Sequence, residues 1–237
     1  NLTILTEVSN EAETLRAVAL GAELIGINNR DLRTLDTNLE TSFKLARLIP
    51  AGITVVSESG IYSSQQVRQL AKVADAYLVG SSLMAQQDLA NACRSLIRGE
   101  HKVCGLTRPE DSAAVYANGA YFGGLIFYPK SPRFVSTEQA KAVQQGAPQL
   151  NYVGVFVDEA VETVAAMAQT LQLAAVQLHG EESDLYLQKL RPLLPKTTEI
   201  WKAYRIQHKL PELSRYADRY LLDAYHPTQA GGTGQQF

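Results

Sequence analysis

Two kinds of stretch alternate along the chain. Short, near-continuous apolar runs rich in branched residues are followed by segments whose apolar residues recur every three or four positions. The first kind reads as a strand buried on both faces, the second as an amphipathic helix. Residues 2–8 form the first such strand. Asn10, with Glu13 three residues on, then reads as a helix N-cap with its capping-box partner. Leu15, Val18 and Ala19 supply that helix's apolar stripe and Gly21 ends it. Strands at 24–28, 53–57 and 76–80 follow. Their helices span 41–48, stopped by Pro50, then Ser63 and Ser64 through Leu70, and about Gln86 to Ile97. After a short junction at 98–101 the alternation resumes, with strands at 103–106, 122–127, 152–157, 174–178, 200–204 and 220–224.

Apolar strands alternating with helical patterns predict a parallel α/β sheet. Glu7, Asn28, Glu58, Cys104, Arg133 and Asp223 all fall at or just beyond the C-terminal end of a strand. That is where a parallel α/β barrel builds its active site. A doubly wound sheet would also bind ligands there, but no GxGxxG turn follows the first strand. Four strand–helix units followed by six exceed one eight-stranded barrel. The expectation is therefore two adjacent (βα)8 barrels, both incomplete, over residues 1–99 and 100–237.

Composition narrows the class. Of the 237 residues 46% are hydrophobic and 19% charged, with a net charge of −2, which gives no electrostatic reason to expect nucleic acid or a membrane surface as partner. No long apolar span or basic-then-apolar leader is found, and a cytoplasmic location is expected. Two cysteines, Cys93 and Cys104, cannot make a disulfide framework, and the four His residues show no metal spacing. The chain starts in a strand without methionine and stops just after a Gly-rich loop, so a segment of a longer protein is expected.

The first half concentrates polar groups at strand ends. Glu7 is a carboxylate suited to act as a base or to hold a basic partner; Asp31 reads as a solvated or capping residue. Asn28 and Arg30 add an amide and a guanidinium. Ser57-Glu58-Ser59-Gly60-Ile61 and Val79-Gly80-Ser81-Ser82 are small strand-to-helix turns whose backbone N–H groups can receive a phosphate. Together these stretches resemble strands five to eight of indole-3-glycerol-phosphate synthase, a (βα)8-barrel family. The resemblance implies Glu7 as catalytic glutamate and Asn28 and Arg30 as a substrate-positioning pair. It also implies substrate contacts at Glu58 and Ser59, and a phosphate cradle at Gly60, Gly80 and Ser81. The family's Glu-x-Lys-x-x-Ser-Pro motif and its strand-three lysine are not in this sequence. The chain by itself is therefore expected to lack synthase activity.

The second half opens on Lys102-Val103-Cys104-Gly105-Leu106-Thr107-Arg108. A strand-end cysteine can serve as a base when a positive neighbour favours its thiolate, or can be a small buried hydrophobe. Asp223 is a candidate acid, Arg133 a guanidinium suited to grip a carboxylate, and Gly231-Gly232-Thr233-Gly234 a flexible or phosphate-approaching loop. In this order and spacing, with Gln177-Leu178-His179-Gly180, the segment resembles phosphoribosylanthranilate isomerase. The resemblance implies an Amadori rearrangement with Cys104 as base, Asp223 as acid, Arg133 on the anthranilate carboxylate, and Gly231 and Gly232 toward the phosphate. His179 is then a supporting residue, and Lys202 and Asp158 structural or pocket-lining ones. The family's last two strands would follow Phe237, so weak or no isomerase activity is expected of the chain alone.

A synthase barrel followed directly by an isomerase barrel resembles the fused enzymes of tryptophan biosynthesis, with a parent of roughly 450 residues at ~200–250 per barrel. That arrangement implies small phosphorylated anthranilate-derived substrates, no cofactor or metal, the remaining halves of the two barrels as partners, and a monomeric parent. Two other readings stay open. One is a phosphate-binding aldolase using Lys202 as a Schiff-base lysine. The other is a non-catalytic hybrid barrel, which requires Val79 and Val103 on adjacent paired strands. Two separate partial sheets are expected instead, with Ile4 and Leu222 on exposed edges.

Overall fold

The computed structural model describes residues 2–206 and 211–224. The chain divides into two compact units, Asn1–Gly99 and Glu100–Phe237.

In the first unit the order is β1 (Thr6–Val8), α1 (Glu11–Ala19), β2 (Leu24–Asn28), α2 (Glu40–Leu45) running into a 3-10 turn (Ala46–Leu48), and β3 (Thr54–Glu58). It continues with α3 (Ser64–Leu70), β4 (Ala76–Leu78), α4 (Ser81–Met84) and α5 (Leu89–Arg98). The strands form one sheet in the order β1-β2-β3-β4, every neighbouring pair parallel. Val8, Ile25, Ile27 and Val55 face the helices and pack with Ala17 and Leu45. By strand alternation Glu7, Gly26, Asn28, Val56 and Glu58 share the opposite face.

Several local expectations are corrected. The first strand begins at Thr6, because its ladder partner β2 starts at Leu24 and Thr6 already stands opposite Ile25. Leu2 and Ile4 ahead of it are exposed. On α1 the buried positions are Thr14 and Ala17, not Leu15, which is 56% exposed. Thr14 turns inward and satisfies its hydroxyl on Asn10 O at 2.8 Å. Asn10 does cap the helix, accepting from Glu13 N at 3.0 Å, but the Glu13 carboxylate reaches Ser9 N at 2.7 Å, one residue before the cap. The last helix starts at Leu89 because Asp88 caps it through Asn91 N at 3.0 Å. The four residues of α4, which periodicity is too short to reveal, precede it. At α3 the capping box of Ser63 and Gln66 is complete.

The second unit runs β5 (Lys102–Cys104), α6 (Pro109–Ala117), β6 (Phe122–Ile126), α7 (Thr137–Gly146), β7 (Asn151–Phe156) and α8 (Val161–Thr170). After these come β8 (Ala175–Leu178), α9 (Asp184–Leu190) with a 3-10 turn (Arg191–Leu193), β9 (Glu199–Ile206) and β10 (Arg219–Ala224). Its sheet is also wholly parallel and strictly sequential, β5 through β10. A doubly wound sheet reverses its strand order at the crevice, whereas a barrel wall does not. Each unit is therefore an arc of a (βα) barrel. Val79 follows β4 and Val103 lies in β5, and those strands belong to separate sheets, so the hybrid barrel does not form. Leu222, on the edge strand β10, is 46% exposed.

The helix-facing side of this second sheet carries the larger core, including Leu125, Tyr152, Phe156, Val176, Leu178 and Ile200. Its inner side carries Phe122, Val153, Ala175 and Trp201, with Leu221 packed against them. Phe122 and Trp201 meet edge to face at 4.9 Å. Arg219 lies over both rings, 5.5 and 5.3 Å from their centroids, and its Nε donates to Glu199 at 2.7 Å. The same guanidinium pairs with Glu100, just ahead of β5. The two edge strands are thus bridged at their N-terminal ends, so the six strands curve into a cup floored by Phe122, Trp201 and Arg219. β5 ends sooner than its expected range because Gly105 adopts φ +86° and both Gly105 N and Leu106 N turn to Gly124 O.

Candidate active sites

In the first unit the expected residues gather at the C-terminal end of the sheet. The Asn28 amide donates to Glu7 Oε1 at 2.8 Å, and its oxygen accepts from Arg30 N at 2.9 Å. Asn28 stands opposite Glu58 in register. Glu58 is buried, and its Oε1 has no hydrogen-bond partner. The carboxyl occupies space left by Gly26, where a Cβ would lie 1.9 Å from Oε1. Burial, and then the charge of Glu7, push the Glu58 carboxyl above its ordinary value.

Beyond the strand ends, Arg30, Ser59, Gly60, Gly80 and Ser81 line one concavity of about 150 Å³. Ser59 and Gly60 both adopt positive φ, +65° and +73°, which turns the β3–α3 loop back over this hollow. Ser82 Oγ donates to Ile61 O at 2.7 Å and ties the two small turns together. Asp31 stands apart, half-exposed and bonded to Arg33. Asn29, which the sequence reading passed over, is the structural hub. Its amide nitrogen donates to Ser57 Oγ, Glu58 O and Ser59 O, and its oxygen accepts from Ser42 Oγ at 2.8 Å. Its only sequence signal is a second Asn beside the first.

In the second unit Cys104 Sγ and Lys102 Nζ both lie against Gly124, where a Cβ would be 2.8 and 3.1 Å from them. Cys104 is therefore on the inner face, two residues along β6 from Phe122. The loop after β6 folds back through Val135 N to Ile126 O. This lays Arg133 across Gly105, with a guanidinium N–H donating to Cys104 O at 3.1 Å. Asp223, one residue before the end of β10, is on the same inner face as Leu221, opposite Arg205 in register. Base, acid and guanidinium candidates thus share one mouth. Gly231 and Gly232 lie outside the described residues.

Lys202 is on the outer face and already engaged. Its ammonium donates to Gly180 O at 2.6 Å and to the buried Glu182 carboxylate at 2.7 Å. Glu182 in turn accepts from Asp158 N and Gly180 N, and Asp158 Oδ1 accepts from Glu181 N. A lysine so paired and turned from the inner face is a poor Schiff-base nucleophile, which removes the main support for an aldolase. Nothing in the sequence marks Glu182 as its partner, and Gln177 stands out there only as part of the Gln177-Leu178-His179-Gly180 stretch. Among the described residues no three His, Cys, Asp or Glu side chains group as metal ligands, and no helix is long and apolar enough to cross a membrane.

Residues 1–96 match the family model of indole-3-glycerol phosphate synthase, and residues 101–237 that of N-(5'phosphoribosyl)anthranilate (PRA) isomerase. The chain is 55% identical to the tryptophan biosynthesis protein TrpCF of Vibrio cholerae, over 99% of this chain and 50% of that protein. It is 49% identical to TrpCF of Yersinia pestis, over 100% of this chain and 49% of that protein. The chain thus spans about half the length of the curated relatives it matches. A solved structure of phosphoribosyl anthranilate isomerase from Thermus thermophilus is 33% identical, over 54% of this chain and 64% of that one, with a TM-score of 0.48. Through residues 101–237, more than half of its length, the chain belongs to the N-(5'phosphoribosyl)anthranilate isomerase family, with a match to the indole-3-glycerol phosphate synthase model ahead of it over residues 1–96.

Proposed function

We propose that the chain is part of a bifunctional enzyme of tryptophan biosynthesis. Residues 1–99 are the C-terminal half of a synthase barrel and residues 100–237 most of an isomerase barrel. Its substrates are small phosphorylated derivatives of anthranilate. The remaining parts of both barrels, supplied by the rest of the protein, complete the two sites and cover the exposed sheet edges.

In the isomerase reaction Asp223 protonates the ribose ring oxygen. The C1–O bond breaks as the nitrogen lone pair forms a protonated Schiff base. Cys104 takes the C2 proton, and the electron pair forms the C1–C2 double bond of an enolamine. Ketonisation returns a proton to C1 and leaves the carbonyl at C2, with no net redox change. Arg133 binds the anthranilate carboxylate in bidentate fashion. Gly231 and Gly232 approach the phosphate. In the synthase reaction Glu7 is the catalytic carboxylate, held by Asn28. Glu58 and Ser59 contact substrate, Arg30 orients it, and Gly60, Gly80 and Ser81 receive its phosphate. The synthase lysines are not in this chain, so decarboxylative ring closure draws on the rest of the protein.

The observation that carries the isomerase reading is that Cys104 and Asp223 lie at the C-terminal ends of the two edge strands of one cup, both on its inner face. Asp223→Asn in the intact enzyme tests it. Isomerisation of phosphoribosylanthranilate is expected to fall by about 10²–10⁴-fold, the contribution of a general acid, while the synthase reaction is unchanged. Equal loss of both activities, or of neither, contradicts it.

A further inference from the structure

Within the isomerase cup one buried polar group is left unused by this mechanism. Gln177 lies in β8 between Val176 and Leu178, both of which face the helices. Ala175, two residues earlier, belongs to the inner cluster with Phe122 and Trp201. Alternation therefore places Gln177 on the inner face, opposite Val155 and Trp201 in register. It sits above the aromatic floor and below the mouth that Cys104 and Asp223 share. It is only 3% exposed, yet its Oε1 has no hydrogen-bond partner.

A buried amide oxygen without a donor costs stability, and every inner-face neighbour named here is apolar or aromatic. An apolar residue at 177 would fill the cup better. The cost is understandable if a bound molecule supplies the donor. The isomerisation offers one where charge develops: opening the ribose ring turns the anilino N–H beside C1 into the N–H⁺ of a Schiff base. An acceptor fixed at that point stabilises the cation more than the neutral ground state, which is the condition for faster chemistry.

We infer that Gln177 is a further catalytic residue of the isomerase site, its Oε1 accepting a hydrogen bond from the substrate's anilino N–H. This rests on the isomerase reading of the cup. The test uses the intact enzyme with Gln177→Leu, Gln177→Glu and, as a separate arm, Cys104→Ala. Gln177→Leu is expected to raise the unfolding midpoint, because it removes an unsatisfied polar group. It is also expected to lower kcat for isomerisation by about 10- to 100-fold, more than KM changes, with the synthase rate unaffected. Gln177→Glu, which keeps an acceptor, is expected to retain more isomerase activity than Gln177→Leu and to make it pH-dependent. If Gln177→Leu fails to fold, the Gln177→Glu comparison with the native enzyme decides alone: kcat and its pH profile both unchanged overturn the proposal. A stabilised Gln177→Leu with unchanged kcat overturns it too, and shows an amide that only fills space. Full isomerase activity in Cys104→Ala would instead bring down the reading of the site itself.

Discussion

Arg219, on the last described strand, pairs with Glu100, two residues ahead of the first strand of the same sheet. The ion pair links positions 119 residues apart, and the same guanidinium holds Glu199 and covers the faces of Phe122 and Trp201. One side chain thus closes the floor of the isomerase cup. Arg219→Gln should cost about 1–2 kcal/mol, since the pair is partly exposed and its ring contacts are modest. Urea unfolding at low and high salt checks this. The loss should shrink with salt, and a loss of zero at low salt would mean that the floor is held by packing alone.

Glu58 gives a pH signature. Its ordinary value is 4.5, and in the folded chain burial and then Glu7 raise it. Folding therefore favours the protonated carboxyl. Its contribution is fully present below the unfolded value and is lost as pH rises through the folded one. Glu58→Gln stays neutral throughout, so its stability relative to the native protein should rise with pH above about 4.5 and then level off. Unfolding midpoints across about pH 4–8 measure the difference, and a constant difference contradicts the assignment.

The Lys202–Glu182 pair is the reverse case, a buried charge pair with good geometry. Lys202→Met should destabilise by about 3–5 kcal/mol, because it strands the Glu182 carboxylate. Adding Glu182→Gln keeps an acceptor for Asp158 N and Gly180 N and should recover most of that loss. Denaturant titration of the single and double variants checks the coupling, and additive losses would sink it.

Gly124 is required by its neighbours. A methyl there would meet Cys104 Sγ at 2.8 Å and the Cys104 Cα at 3.0 Å, so the end of β5 must move. Displacing the proposed base by about 1 Å should cost about 10²-fold in rate. Gly124→Ala should lower isomerisation by that order and spare the synthase reaction. A paired assay of the two activities would show otherwise if both fell together.

Much of this was legible in the residues. Near-continuous apolar strands such as 122–126 and 24–28 announced a parallel sheet, and strand-end Glu7, Asn28, Cys104 and Asp223 announced the mouth. What escaped was what tertiary packing decides. Leu15 has the right character for a core stripe, but Thr14 takes the buried position by bonding its hydroxyl to the preceding turn. Asn29, Gln177 and Glu182 are polar residues whose weight comes from partners far along the chain, or from the lack of one. Gly26 and Gly124 look like ordinary strand glycines until the side chains that fill their space are known.

The central claim is that Cys104 is the base of the isomerase cup. Its direct test is the rate of phosphoribosylanthranilate isomerisation by the intact enzyme carrying Cys104→Ala, with the synthase reaction followed in the same preparation. The account predicts loss of isomerisation by about 10²-fold or more, with ring closure of the supplied isomerase product unchanged. Isomerisation at the native rate would contradict it.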